Sequence, residues 1–156
     1  MARTFERAGE RFRVRLDPIG RDAIRRFAGE LRELLQSESP ASDPTVARLF
    51  PTAYPDDPLR NLEFEQAAGN TLLEGRLASV EIVESTVDAE TLTEHQLLAW
   101  LAVLNGLRLV LGIRLQITED TTEADFQGDE ERIGLYFLYG YLTWLESEVV
   151  EVLPVN

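Results

Sequence analysis

Between Leu97 and Leu115 the chain reads LLAWLAVLNGLRLVLGIRL, apolar on almost every side of a helix. No other stretch limits the fold as strongly, because a helix that is hydrophobic all round must be enclosed by protein or by lipid. Its length would span a bilayer. Arg108 would then sit near the bilayer centre, at about 2.5–3.5 kcal/mol on insertion scales, with Asn105 and Arg114 adding to the cost. The expected solution is the central helix of a bundle. Thr93-Glu94-His95-Gln96 supplies a capping box at its start. Ala99, Ala102 and Gly106 form a strip of small residues against which another helix can lie closely. Asn105 and Arg108, three apart, share one face. A lone buried guanidinium is very costly, so Arg108 must meet a carboxylate or several carbonyls. Asp56, or one of Glu63 and Glu65, is the expected partner, with Asn105 holding a loop carbonyl. Arg48, Tyr54, Asp56, Asn105 and Arg108 thus form a buried polar strut or, alternatively, a ligand site.

The remaining elements follow from start and stop signals. Phe12, Val14 and Leu16 alternate with Arg11, Arg13 and Arg15, the period of a strand. With Ala8-Gly9 as the turn, Phe5 faces Phe12 and Glu6 faces Arg11. Asp17-Pro18 opens a helix carrying Ile24, Phe27, Ala28, Leu31, Leu34 and Leu35 at helical spacing, ending near Gln36. Asp43-Pro44 opens a short helix, TVARLF. PTAYPDDP excludes both helix and central strand. Asp57-Pro58 starts a long helix to about Thr86, with Leu59, Leu62, Leu73, Leu77, Val80, Val83 and Val87 on one side and a kink expected near Gly69-Asn70 and Gly75. Asp129 caps the last helix, which runs to about Val152. The fold expected is mainly α: a helical bundle of four main helices plus one short helix, with a small N-terminal β-hairpin. It reads as a single domain over residues 1–156, the hairpin in 1–16 and the bundle in 17–156.

The chemistry available is narrow. There is no cysteine, so disulfides, thiol nucleophiles and zinc–thiolate sites are excluded. The single histidine, His95, falls in the first turn of a helix, and no Glu-x-x-His, His-Glu-x-x-His or glycine-rich phosphate loop occurs. No enzyme, metal or cofactor is expected. The N-terminal stretch is charged and lacks an apolar signal region, which with the missing cysteines gives a cytoplasmic expectation.

All 15 basic residues are arginine. Residues 1–36 hold nine arginines against six acids, and the remainder six against 22, for a net charge of −13. That charge disfavours nucleic acid as a partner, because phosphates are repelled. The exception is the basic patch of Arg11, Arg13 and Arg15, with Arg21, Arg25 and Arg32 as a second stripe. We expect these arginines to serve the protein's own acids, Glu119, Asp120, Glu123 and Asp125, or the same residues of a second copy.

The last helix, YFLYGYLTWL, places Tyr136, Phe137, Tyr139, Tyr141 and Trp144 on every side. Tyrosine and tryptophan enrichment is the composition of an interface. Either the bundle encloses this helix wholly, or Tyr136, Tyr139, Tyr141 and Trp144 contact a partner, a second copy (a homodimer) or another protein, with no role for a membrane.

RLFPTAYPDDP (Arg48 to Pro58), WLAVLNGLRLVLGIRL (Trp100 to Leu115) and YGYLTWLES together resemble an actinobacterial domain-of-unknown-function family. Its genes commonly sit beside the one for ClpS, the adaptor of the Clp protease. The resemblance spans nearly the whole chain and implies a cytoplasmic helical protein without supplying an activity or catalytic residue. Some members carry the label of transcriptional regulator, although no helix-turn-helix pattern is evident here. The expectation is a non-enzymatic protein acting through protein–protein contacts, regulatory and linked to protein turnover. The alternative is a nucleic-acid-contacting transcriptional regulator that uses the arginine-rich hairpin.

Overall fold

A computed structural model describes residues 3–36 and 56–154, with the backbone alone for residues 58 and 61–71. Strands β1 (Phe5–Ala8) and β2 (Arg11–Val14) form the hairpin. Helices α1 (Pro18–Leu35) and α2 (Pro58–Thr86) follow, then a two-residue strand β3 (Thr91–Leu92), helix α3 (Glu94–Arg114), a 3-10 turn (Glu123–Phe126) and helix α4 (Glu130–Val152). The architecture is the expected bundle of four main helices with an N-terminal hairpin. The short helix expected at TVARLF lies outside the described residues.

Each helix starts where its cap residue puts it. The Asp17 carboxylate accepts from the Gly20 amide at 2.7 Å, Asp57 from Arg60 at 3.1 Å and Asp129 from Arg132 at 3.1 Å. At α3 the box closes in both directions: Gln96 N–H donates to Thr93 Oγ1, and Thr93 N–H donates to Gln96 Oε1.

The hairpin differs from expectation by one residue. Its turn is Gly9-Glu10, so Phe5 lies opposite Val14, Glu6 opposite Arg13 and Arg7 opposite Phe12. Gly9 holds φ 67°, the conformation the first central residue of such a turn needs and an alanine resists. Glu6 therefore reaches Arg15, at 2.8 Å, and not Arg11. A third strand completes the sheet: β2 pairs antiparallel with β3, in the order β1-β2-β3. Two residues are too few to show a period in sequence.

The core gathers Ile24, Ala28, Leu31 and Leu35 of α1, Val80 and Val83 of α2, Leu97, Val103 and Leu104 of α3, and Leu142, Leu145 and Val149 of α4. Phe5, Phe12 and Val14 bring the sheet onto it. Trp100, 1% exposed, sits where sheet and bundle meet. Its indole N–H donates to Thr86 Oγ1 at 2.8 Å, and Phe5 meets its ring edge-on at 6.1 Å. Ala99 faces α2, lining a cleft with Gly75, Ala78 and Ser79. Leu59, expected on the inner side, is 68% exposed in the first turn of α2.

Arg21 also departs from the expected surface stripe. Its Nε donates to the Leu16 carbonyl at 3.0 Å, Nη1 to those of Val87 and Ala89 at 2.8 Å each, and Nη2 to that of Val14 at 3.0 Å. One guanidinium thereby ties β2, the start of α1 and the end of α2. The central helix α3 is long and apolar enough to cross a membrane by length and composition, and half of its most apolar stretch lies buried in the bundle.

Candidate functional site

Helices α3 and α4 run antiparallel, and the polar residues of α3 are answered from α4. Arg108 Nε donates to Thr143 Oγ1 at 2.9 Å, and that hydroxyl donates on to the Tyr139 carbonyl at 2.9 Å. The guanidinium carbon lies 5.3 Å from the centroid of the Tyr139 ring. Nη1 stands 3.7 Å from Glu146 Oε2, a charge contact too long to be a hydrogen bond, and Oε2 is otherwise buried and unpartnered. The partner of Arg108 is thus Glu146 and not Asp56, which is exposed just ahead of α2. The side chains of Glu63 and Glu65, and all of Arg48 and Tyr54, lie outside the described residues. Asn105 is half-buried and its side chain makes no hydrogen bond among the described residues; the loop expected to meet it lies almost wholly outside them. Tyr139, Thr143 and Glu146 recur at i, i+4 and i+7, which puts all three on the helix face turned to Arg108. That spacing was visible in the sequence but was masked by the aromatic run around it.

The Arg108 and Glu146 side chains are 32% and 21% exposed. Arg108→Leu is expected to cost about 1–3 kcal/mol, below the value for a fully buried pair because solvent screens both groups. The double variant with Glu146→Leu should recover part of the loss, since no carboxylate is then stranded. Urea unfolding of the single and double variants measures this; equal losses would remove the coupling.

The other side of α4 is exposed. Leu142, Leu145 and Val149 face inward and are fully buried, whereas Phe137 and Trp144 are 56% and 49% exposed. Seven residues apart, these two rings lie almost in line along one face. Trp144 stacks on Tyr141 at 6.2 Å, and Tyr136 rests on Phe126 at 5.1 Å. Tyr136, Tyr139 and Tyr141 are half-buried. Burial pushes the Tyr141 phenol above its usual range, and the carboxylates of Asp17 and Glu148 add to the effect, so it stays neutral. Beside Phe137 a groove of about 540 Å³ opens between α4 and the loop after α3, walled by Ile117, Thr118 and Thr121. Tyr139 and Thr143, the residues Arg108 holds, form part of its lining. Gly140 also lines it, with no atom within 4 Å of where a Cβ would stand.

The arginine patch is partly neutralised within the chain. Arg11 Nε donates to Thr91 Oγ1 at 2.8 Å, and Arg15 pairs with Glu6. Arg25 pairs with Asp22 and Asp88, and Arg32 with Glu84. Arg13 is exposed. The acids serving these groups are therefore not Glu119, Asp120, Glu123 and Asp125 but Glu6 of β1, Asp22 of α1, Glu84 of α2 and Asp88 just after it, which hairpin pairing and the packing of α1 on α2 bring nearer. His95 is exposed at the start of α3, and among the described residues no three His, Asp or Glu side chains converge as metal ligands do.

These features define an α-helical bundle closed at one end by a small sheet, with an aromatic groove on its last helix. The chain belongs to the family described as a domain of unknown function, DUF2017, whose model matches residues 2–153. Its relatives include the oxidative stress regulator AosR of Mycobacterium tuberculosis and that of Mycobacterium bovis. Each is 28% identical over 189 aligned positions, which cover 97% of this chain and 86% of the relative. No solved structure matches.

Proposed function

We propose that this chain is a non-enzymatic regulatory protein that works by holding another protein on the outer face of α4. The observation that carries the reading is the pair Phe137 and Trp144, two large aromatics left half in water on one helix face, the first of them lining a groove. The inward side of the same helix already fills the core, so nothing within the fold requires them there. Aromatic side chains around an accessible cleft are the usual composition of an interface centre. The regulatory part is supported by the name of the mycobacterial relatives. The sequence resemblance implies a gene neighbourhood beside ClpS, and we extend the reading to protein turnover in the cytoplasm by that association alone. With no cysteine in these 156 residues, any part the chain takes in an oxidant response does not run through a thiol of its own. The nucleic-acid reading draws less support, because Arg11 and Arg15 are already engaged.

Phe137→Ser with Trp144→Ser should leave the fold standing, since both side chains lie outside the core. In cells that make this double variant in place of the wild type, the transcript response to an oxidant should match that of a deletion strain. A wild-type response from the folded double variant would overturn the reading.

A further inference from the structure

We infer that the partner held on the outer face of α4 presents a basic helix with an apolar face, an inference that rests on the docking reading above. The argument starts from the wall of the groove. The loop that supplies Ile117, Thr118 and Thr121 also carries Glu119, Asp120, Glu123 and Asp125, all exposed. Residues 116–131 contain seven acids and no arginine. Among the described residues Glu119, Asp120 and Glu123 take part in no ion pair, and Asp125 accepts only from the Thr122 amide. The nearest arginines are turned away: Arg132 donates to the Leu115 carbonyl and covers the Phe126 ring, Arg108 lies behind Tyr139 and Thr143, and Arg114 lines a different cleft with Glu30, Glu33 and Glu131. The potential over the groove is therefore negative, and an incoming cation gains from it.

That charge selects among occupants. A two-fold contact between copies would set the acidic wall against itself on two chains of net charge −13. Nucleic acid and anionic lipid meet the same repulsion. A basic protein segment meets attraction from the wall and apolar contact from the rings. The geometry favours a helix. Phe137 and Trp144 stand about 10 Å apart along the axis, two turns, matching anchors at i and i+7 of an opposing helix. The open space over Gly140 lets that helix come close.

The test uses the full chain and three designed helical peptides of about 18 residues: leucine on one face with arginine on the other, the same with glutamate for arginine, and the arginine peptide with its leucines replaced by serine. The first should bind, with affinity falling as salt rises. The other two should bind weakly or not at all. Glu119→Gln with Asp120→Gln and Glu123→Gln should weaken binding about tenfold, and Phe137→Ser with Trp144→Ser about thirtyfold or more. Gly140→Leu, which fills the groove and removes no contact, should block it. Circular dichroism checks that each variant is folded. Equal binding of the glutamate peptide, or undiminished affinity in the triple glutamine variant, overturns the basic partner and leaves the docking reading standing. Undiminished binding to the folded double serine variant places the peptide elsewhere on the acidic surface and also overturns it. A dimer by light scattering that those serines dissociate makes a second copy the occupant, with the same result. Failure of the docking reading itself is read separately, in the cellular response to oxidant.

Discussion

Replacing Arg21 with methionine is expected to lower the free energy of unfolding by about 3 kcal/mol. The guanidinium donates to the carbonyls of Val14, Leu16, Val87 and Ala89, from three different parts of the chain. Hydrogen bonds from a charged donor contribute about 1.5–3 kcal/mol each when well shielded, and Arg21 is half-buried, so the sum is discounted for water that can replace it. Methionine keeps the apolar stem, which confines the change to the bonds. Lysine should restore only part of the stability, because three donors on one nitrogen cannot span what the planar fork spans. Urea denaturation gives the magnitude. Hydrogen exchange should show faster opening at Val14, whose amide donates to the Glu90 carbonyl at the same junction. Unchanged stability would mean that water serves the four carbonyls equally well.

Trp100→Ala should cost about 4 kcal/mol, as truncation of a fully buried indole does. The ring is 1% exposed and touches the sheet through Phe5 and α2 through Thr86, so the void would open where three elements meet. Trp100→Phe separates the two contributions. It retains most of the volume and leaves the Thr86 hydroxyl without its donor, so about 1–2 kcal/mol is expected. Thermal and urea unfolding both report it, and a loss below about 1 kcal/mol for the alanine variant would show that the core closes over the gap.

The parts of this fold that were legible in the sequence are those set by neighbours in the chain. Asp17, Asp57, Thr93 and Asp129 cap helices because their partners lie three residues on, and the alternation at Arg11–Val14 needs no distant contact. The parts that were not legible depend on residues far along the chain. Arg21, Arg25 and Arg32 look alike in a sequence. Only Arg21 meets carbonyls 66 and 68 positions away, while Arg25 and Arg32 pair with acids of the same chain. Arg108 invites an acid by its place in an apolar helix, but that the acid is Glu146 follows from the antiparallel pairing of α3 with α4, which no local signal announces. The aromatic run of α4 pointed to a contact surface, but which of its rings stay outside the core followed from the depth of Leu142, Leu145 and Val149. Phe137, outside the set of expected contact residues, is the most exposed of them. Its spacing of seven from Trp144 was the available clue.

The placement of β3 sets an order of assembly. Strand β2 finds its second neighbour at Thr91–Leu92, and the Arg11 contact there spans 80 positions. The Thr4 amide reaches Glu148 Oε1 across 144. Contacts of that separation form late, because the entropy of closing the intervening loop must be met before they add anything. The hairpin can turn early, yet two strands alone are marginal in water. The helices are therefore expected to associate first and present Trp100 and Glu148 as a surface on which the strands then settle. The hairpin, tied to the end of the last helix by Thr4 and to β3 by Arg11, is therefore expected to be among the last parts to settle.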